Sequence, residues 1–250
     1  MFGHLFTTFL TQPIYNGFIY LIGVMPQGDV GLAIIAMTLV IRIIFYPAFT
    51  SSIRTQMGMQ AVQGELDAIN KKYKDDKDER AKQTMQLFRD NNVKPLSGFL
   101  ALLVQIPVFI ALYFAFFKQG LPDIATTLLY PFVAVPTAVS TTFFGFIDLL
   151  APHNIFLAVL VGGSQYVVTH LSLGRVAGGA KNTLAPEKAA AQKMQKRIML
   201  YFLPALMATL SYSLPAAVGL YFVATNAFSV GQEWFIRRGS GGPTDKVQKK

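Results

Sequence analysis

Long apolar runs constrain this chain more than any other feature of its sequence. A helix needs about 20 consecutive apolar residues to cross the hydrocarbon core of a bilayer, which is about 30 Å thick. Runs that meet or approach this length occupy residues 30–50, 98–117, 155–173, 198–212 and 216–235. Only 14% of the 250 side chains are charged, whereas soluble domains usually carry about 25%. The sequence therefore predicts an all-α, polytopic membrane protein with five transmembrane helices.

The distribution of Lys and Arg predicts the orientation of these helices. Cytoplasmic loops of membrane proteins carry an excess of both residues. Residues 51–93, 175–197 and 237–250 hold the basic clusters, whereas residues 1–28 and 119–154 contain no Lys or Arg. Five spans place all three clusters on one side of the membrane if the N-terminus is outside and the C-terminus is in the cytoplasm.

Two further apolar stretches, residues 5–25 and 126–146, compete for assignment as spans. If residues 126–146 crossed the membrane, the loop around Arg175 would face outward, against the charge rule. Pro131 and Pro136 would also each remove a helix hydrogen bond in lipid. We expect an outer-face loop here that partly dips into the membrane. Residues 5–25 contain several polar residues, which favours an interfacial helix on the outer leaflet.

The polar segment after the first span has the pattern of a helical hairpin. Apolar positions recur every three or four residues in each half: Val62, Leu66, Ile69 and Tyr73, then Ala81, Met85 and Phe88. Such spacing is typical of amphipathic helices, and residues 74–78 between them are charged and suit a turn. The pattern predicts two antiparallel cytoplasmic helices that cover each other's apolar stripes.

These assignments divide the chain into nine predicted segments. In order, they are an extracytoplasmic interfacial helix (1–28), the first transmembrane helix (29–50), the cytoplasmic helical hairpin (51–97), the second transmembrane helix (98–118), an extracytoplasmic loop (119–152), the third transmembrane helix (153–173), a cytoplasmic loop (174–197), the fourth and fifth transmembrane helices (198–236) and a basic cytoplasmic tail (237–250).

Arg42 lies near the middle of the first predicted span, where a charge is costly. Its guanidinium stays protonated, and a cation at a helix centre costs about 2.5–3.5 kcal/mol on insertion scales. The acidic residues of the spans, Asp29 and Glu233, lie at span ends. One interpretation is an arginine that snorkels or has a structural partner. The other is that Arg42 faces a water-filled cavity within the bilayer that attracts an anionic passenger.

Polar side chains on the spans could line such a cavity. Thr38 lies one helical turn before Arg42 on the same face. The other candidates are Gln105 on the second span, Ser164, Gln165, Tyr166 and Thr169 on the third, and Tyr221, Thr225, Asn226, Ser229 and Gln232 on the last. Each could instead bond a neighbouring helix, which contributes about 0.6 kcal/mol. Their occurrence together with Arg42 favours the cavity.

The sequence argues against an enzyme and against a metal or cofactor site. It contains no Cys, which excludes thiol catalysis and Cys-ligated metals, and it lacks a phosphate-binding glycine-rich motif. Ser164 and His170 are six residues apart on one predicted helix and point to different faces. His4 and His153 lie near predicted interfaces and lack the spacing of metal ligands.

A small membrane transporter that binds an anion at Arg42 is the alternative function. Transporters of this kind often contain internal repeats with paired broken helices. The spans of this chain are dissimilar, and the polar hairpin occurs once. The sequence therefore favours a different use of Arg42.

Three short motifs follow the Arg-bearing span and the hairpin in a recognisable order. They are Asn92-Val93-Lys94-Pro95-Leu96, the stretch from Gln105 to Tyr113 (QIPVFIALY) and the stretch from Ser213 to Tyr221 (SLPAAVGLY). Together with Arg42 they resemble the YidC/Oxa/Alb membrane-protein insertase family. The resemblance covers essentially the whole membrane domain of that family. The chain is most similar to the compact bacterial form that lacks a large periplasmic domain.

The resemblance implies an insertase and chaperone of the bacterial cytoplasmic membrane. Such a protein receives nascent hydrophobic proteins in a hydrophilic intramembrane groove and releases them laterally into the bilayer. Arg42 matches the groove arginine of the family and Thr38 its neighbour, while Tyr166 and Phe222 match the face along which a substrate helix slides into lipid.

The resemblance also implies partners. The basic tail is expected to contact the ribosome or anionic phospholipids through Arg237, Arg238, Lys246, Lys249 and Lys250. Nascent membrane proteins are the expected clients, and the Sec translocon is a further candidate partner. We expect no specific contact with DNA, no cofactor, and function as a monomer.

Overall fold

The computed structural model of the protein describes residues 7–94, 121–173, 194 and 196–239, and most of these are helical. The predicted second span (98–118), including Gln105, and the tail residues Lys246, Lys249 and Lys250 lie outside the described residues. The chain divides into two compact units. The first comprises residues 1–45, 102–165 and 203–228, and the second comprises residues 46–101, 166–202 and 229–250.

The described chain forms eight α-helices and one pair of short strands. They are α1 (Gln12–Val24), α2 (Val30–Ile44), α3 (Tyr46–Ala61), α4 (Gln63–Lys72), α5 (Lys77–Asp90), β1 (Thr142–Phe143), β2 (Ile147–Asp148), α6 (Ile155–Leu173), α7 (Leu203–Ser213) and α8 (Ala216–Gly239). A π-helical turn precedes α1 (Thr7–Thr11) and another precedes α7 (Ile198–Phe202), and 3-10 turns lie at Pro26–Gly28 and Thr126–Leu128.

The core of the first unit forms where α1 packs against α2. Apolar residues at helical spacing on α1 are buried against the apolar residues of α2: Tyr15, Phe18, Ile19 and Ile22, with Val30, Ala33, Ile34 and Ile41. Pro13 at the second position of α1 suits a helix start. Gly17 of α1 lies beside the Met37 side chain of α2. A Cβ atom at position 17 would lie 3.5 Å from Met37 Cε.

Asp29 fixes the start of α2. Its Oδ1 accepts a hydrogen bond from the Leu32 N–H at 3.0 Å, and its Oδ2 accepts one from the Phe144 N–H at 3.2 Å. The Ser140 N–H donates to the Gly28 carbonyl, and the Ser140 carbonyl accepts from the Val30 N–H. Gly28 has a φ of +66°, and a Cβ there would overlap the Ala138 carbonyl. Glycine is therefore required where this turn meets residues 138–140.

Residues 121–154 contain no α-helix in the described chain. They form the 3-10 turn and an antiparallel pair of two-residue strands, with Thr142 opposite Asp148 and Phe143 opposite Ile147. Asn16 on α1 holds this segment, because its Nδ2 donates to Leu128 O at 2.8 Å and its Oδ1 accepts from the Tyr130 N–H at 2.6 Å. The described chain is mostly helical, which agrees with the all-α prediction, and this small hairpin is its one pair of strands.

The first predicted span is not one continuous helix, which corrects the prediction for residues 29–50. Helix α2 ends at Ile44, and Phe45 leaves the helical conformation with φ −97° and ψ 17° before α3 begins at Tyr46. Pro47 explains the break, because it has no N–H for the Ile43 carbonyl and its ring would clash with that oxygen. Arg42 therefore lies in the last turn of α2 rather than in the middle of a helix.

The second unit contains the predicted helical hairpin. Helices α4 and α5 pack together around a turn, and the Asp76 side chain caps α5 by accepting from the Glu79 N–H at 2.9 Å. The two apolar stripes do not cover each other, however. A cavity of about 360 Å³ lies between them, and Leu66, Met85 and Phe88 are among its lining residues.

The buried residue of α5 is not a member of the predicted apolar stripe. Met85 is 57% exposed and Ala81 is exposed, while Leu87 is 8% exposed. Leu87 is therefore buried on a side of α5 outside the predicted stripe, while Ala81, Met85 and Phe88 of the stripe line the cavity toward α4. After α5 the chain turns at Asn92, and Val93 is buried beside Gly58 of α3.

Among the described residues, α6 alone is long and apolar enough to cross a membrane as a single helix. A second span results if α2 and residues Tyr46–Met59 count together as one broken helix, and Ile198–Ser213 is a shorter apolar helix. Helix α8 has sufficient length, but Asn226, Gln232 and Glu233 lower its mean hydropathy. The number of five spans stays a prediction.

Candidate functional site

Arg42 is buried in the first unit and contacts α8. Its side chain is 8% exposed, and Nη2 donates to the Thr225 carbonyl oxygen at 3.3 Å. The last turn of a helix carries a partial negative charge, which stabilises a cation by about 0.3–1 kcal/mol. Arg42 therefore has two sources of electrostatic stabilisation that its position in the sequence does not reveal.

Two polar residues are buried on the inner side of α2, while apolar residues near its end are exposed. Thr38 and Arg42 are buried on one face, whereas Ile43 and Ile44 are each 63% exposed. A soluble helix shows the opposite arrangement, and a large exposed apolar surface marks a contact with membrane or protein. The exposed apolar surface of α2 is therefore of the kind that contacts a membrane or another protein.

Thr38 lies on the face of Arg42, as its spacing predicted. It is buried, and its Oγ1 donates to the Ile34 carbonyl of its own helix at 2.7 Å. This bond satisfies the hydroxyl donor within α2. Thr38 can therefore lie beside the guanidinium as a polar, internally bonded side chain.

Asn226 joins α8 to α6 in the first unit. Its Nδ2 donates to Ser164 Oγ at 3.0 Å, and Ser164 Oγ in turn donates to the Val161 carbonyl at 3.1 Å. Asn226 and Tyr221 are buried, while Thr225 and Gln165 are half-buried. The structure thus brings Arg42 to Thr225 and Asn226 to Ser164, within one compact unit.

Gln232 makes a separate contact in the second unit. Its Nε2 donates to Thr50 Oγ1 at 3.0 Å and to the Tyr46 carbonyl at 3.4 Å, and its side chain is buried. Thr169 is buried and Ser229 is half-buried in the same unit. The predicted groove residues therefore fall into two groups, one in each unit.

Thr50 is a bonding partner that sequence reasoning missed. It was assigned to the first span, yet it lies on α3 beyond the break at Phe45. The available signal was Pro47, because a helix that restarts at Tyr46 places Thr50 one turn later. Its partner Gln232 was predicted as a groove residue, and the structure places it in a helix contact.

The two predicted slide residues have aromatic neighbours. The ring of Tyr166 lies 5.8 Å from that of His170 and 6.0 Å from that of Tyr201, measured between centroids. The ring of Phe222 lies 5.8 Å from that of Tyr221. His170 is thus part of an aromatic cluster, while the Ser164 hydroxyl is bonded to Val161 and Asn226.

Arg238 is the one predicted tail contact whose side chain lies within the described residues. Its guanidinium carbon is 3.8 Å from the centroid of the Trp234 ring, one helical turn earlier on α8. Both side chains are exposed. The pair is a cation–π stack at the end of the helix.

The family model described as "60Kd inner membrane protein" matches residues 22–242 of the chain. The chain belongs to this family. Two similar curated relatives are each named "Membrane protein insertase YidC", one from Francisella tularensis subsp. novicida (strain U112) and one from Francisella tularensis subsp. tularensis (strain WY96-3418). Each is 32% identical over 212 residues, which is 84% of this chain and 33% of the relative.

Family membership confirms the predicted resemblance to the YidC/Oxa insertases and the prediction of an inner-membrane protein. The relatives are named as insertases, which agrees with the prediction that the chain is not an enzyme. The chain spans about a third of the length of the curated relatives it matches, since 33% of each is covered.

Proposed function

We propose that the protein is a membrane protein insertase and chaperone. It receives nascent hydrophobic proteins in a hydrophilic intramembrane groove that contains Arg42 and releases them laterally into the bilayer. The observation that carries this proposal is the buried guanidinium of Arg42 on the inner side of α2, with Ile43 and Ile44 exposed. The names of the related proteins support it.

Arg42 acts on the polar end of the incoming chain. A carboxylate that enters the membrane without a partner loses far more solvation energy than one that is paired. The bond to the Thr225 carbonyl orients the guanidinium. Arg42 can therefore offset the desolvation of an acidic tail, with Thr38, Gln105, Gln165, Tyr221 and Asn226 as further groove residues.

Transfer of the client's apolar helix into lipid supplies the driving energy. Burial of apolar surface is worth roughly 25 cal/mol per Å², and the membrane potential acts in addition on charges in the tail. Tyr166 and Phe222 lie on the path of the client helix. Thr169, Ser229 and Gln232 of the second unit stay predicted groove residues.

The proposed topology has five transmembrane helices, with the N-terminus outside and the C-terminus in the cytoplasm. The hairpin of α4 and α5 then stands in the cytoplasm, where it meets the client. The ribosome, the Sec translocon and anionic phospholipids are the proposed further partners, and the protein acts as a monomer. The basic clusters of the sequence support this orientation.

Insertion by the reconstituted protein tests the role of Arg42. We expect Arg42→Ala to reduce insertion of a single-span client with an acidic tail by about tenfold or more, because the carboxylate loses its partner. Arg42→Lys should retain much of the activity, and a client with a neutral tail should be affected less. Arg54→Ala, which removes an exposed Arg of α3, is the matched control.

Two outcomes would contradict the proposal. Equal losses in Arg42→Ala and Arg42→Lys for both clients would exclude attraction of charge as the role of Arg42. Flux of a small anion without insertion of either client would instead favour the alternative, an anion transporter. A photocrosslinker at position 42 should attach to a stalled nascent chain in native membranes if the groove receives the client.

A further inference from the structure

The exposed side of the last turns of α8 changes in character along the helix. Gly231, Trp234, Phe235 and Arg238 are all exposed, and their spacing places them on one side. Trp234 is 54% and Phe235 is 65% exposed. The opposite side is buried, with Ile236 4% exposed. One side of this helix end therefore passes from a small residue to two aromatic rings and then to a cation.

A lipid leaflet has the same order of chemistry from its acyl chains to its headgroups. Trp is enriched at the membrane–water interface, because its ring is apolar and its N–H is polar. Arg near the end of a transmembrane helix reaches the headgroups with its charge. The exposed side of α8 thus matches the profile of a leaflet, with Arg238 at the level of the phosphates.

The stack leaves the hydrogen-bonding edge of Arg238 available. The Trp234 ring covers one face of the guanidinium, at 3.8 Å from the ring centroid to Cζ, while the N–H donors of a guanidinium lie in its plane. Within the described part of the chain, Arg238 forms no ion pair with an acidic side chain. The stack restricts the orientation of the Arg238 guanidinium. Its planar arrangement of N–H donors is suited to two oxygens of one phosphate.

We propose that Trp234 and Arg238 form a binding site for the phosphate of an anionic phospholipid in the cytoplasmic leaflet. Trp234 and Phe235 contact the acyl-chain boundary, and Arg238 binds the headgroup phosphate from its stacked position. The site fixes the depth of α8 in the membrane. This inference rests on the proposed insertase topology, in which α8 crosses the membrane and ends in the cytoplasm.

A lipid fits the pair better than a ribosome does. Ribosomal RNA would also attract Arg238, and an unpaired base could stack on one exposed ring, but an RNA contact offers no apolar phase that buries both Trp234 and Phe235. Burial of two aromatic side chains at the acyl-chain boundary removes their apolar surface from water, which is favourable. The observed combination of exposed aromatic residues and one stacked cation therefore points to the lipid.

Trp234 provides a direct probe, because it is the only Trp of the 250 residues. The full chain is reconstituted into vesicles of phosphatidylcholine with increasing fractions of phosphatidylglycerol, and Trp emission and its quenching by brominated lipids are recorded. We expect brominated phosphatidylglycerol to be preferred over brominated phosphatidylcholine. Arg238→Gln should lower this preference well beyond the roughly fivefold loss expected for removal of any one basic residue at an anionic surface.

Arg237→Gln is the matched control, because it removes the same charge from the adjacent position of the helix. It should lower the lipid preference by no more than this general charge effect, about fivefold, whereas Arg238→Lys should lose more than that, since an ammonium lacks the planar pair of N–H donors of a guanidinium. An equal loss in Arg237→Gln and Arg238→Gln would overturn the proposal in favour of a general effect of net charge. An unchanged preference in Arg238→Gln would also overturn it.

Two further outcomes separate this site from its alternatives. If Arg238→Gln weakens binding of purified ribosomes and leaves lipid quenching unchanged, the pair is a ribosome contact and the proposal is wrong. If brominated lipids of both kinds fail to quench Trp234 in the unsubstituted protein, α8 does not end in a membrane, and the proposed topology fails as well. Quenching without lipid preference would overturn only the lipid site.

Discussion

Replacement of Asp29 tests how the N-terminal end of α2 is held in place. The carboxylate caps the helix through the Leu32 N–H and also accepts the Phe144 N–H from the small β-hairpin. Loss of an N-cap costs about 1 kcal/mol, and loss of a hydrogen bond to a charged group costs about 1.5–3 kcal/mol. We therefore expect Asp29→Ala to destabilise this region by about 2–4 kcal/mol.

Asp29→Asn should separate the two contributions. An asparagine oxygen caps a helix about as well as aspartate does, so the Leu32 N–H keeps its acceptor. The Asn amide nitrogen would then face the Phe144 N–H, and two donors cannot bond. We expect only the contact with Phe144 to be lost.

Hydrogen exchange of individual backbone amides measures both effects in detergent micelles or nanodiscs. In Asp29→Ala, the amides of Leu32 and Phe144 should exchange about 30- to 700-fold faster, since about 1.4 kcal/mol corresponds to a factor of ten. Asp76→Ala is the matched control, because Asp76 is an exposed cap with one bond, to the Glu79 N–H. Its effect should be about tenfold or less.

If Asp29→Ala and Asp76→Ala increased the exchange rates of their bonded amides by similar factors, this reasoning would be refuted. Such a result would mean that the burial of Asp29 and its second bond contribute nothing. Loss of protection at Leu32 in Asp29→Asn would refute the separation of the two roles.

Two more contacts give predictions of the same kind. Asn16→Leu should destabilise the protein by about 1–3 kcal/mol in denaturant titrations, because it leaves the Tyr130 N–H without its acceptor, while the Leu128 carbonyl keeps the bond from Gln12 Nε2; a cost below that of losing one exposed hydrogen bond would contradict this. Gln232→Leu and Thr50→Val should show a coupling energy of about 1 kcal/mol in a double-mutant cycle, and strictly additive costs would mean that their bond does not contribute.

The spacing of residues along the sequence correctly predicted which of them share a face, where the answer depends on a single helix. Thr38 and Arg42 share a buried face because residues four apart always do in an α-helix. The order of short motifs identified the family, since it depends on no detail of packing. Both inferences use properties that are local in the chain.

The missed features depend on contacts between distant segments. The β-hairpin was not predicted because its loop places Phe144 at a φ of +49°, a conformation for which Phe gives no sequence signal. Burial of Leu87, which lies outside the apolar stripe of α5, could not be predicted from the spacing within that helix. The break at Phe45 was predictable in principle from Pro47, but the apolar composition of residues 30–50 favoured one long span.

The position of Arg42 changes the meaning of its burial. A cation in the middle of a helix would have to be explained by a ligand or by water, because the helix itself offers it no compensation. At the end of α2, the helix dipole and the Thr225 carbonyl both stabilise the guanidinium. Burial alone would therefore be satisfied by a purely structural arginine. The difference between Arg42→Lys and Arg42→Ala in insertion, compared across acidic and neutral client tails, is what separates the two roles, because a structural arginine would affect every client equally.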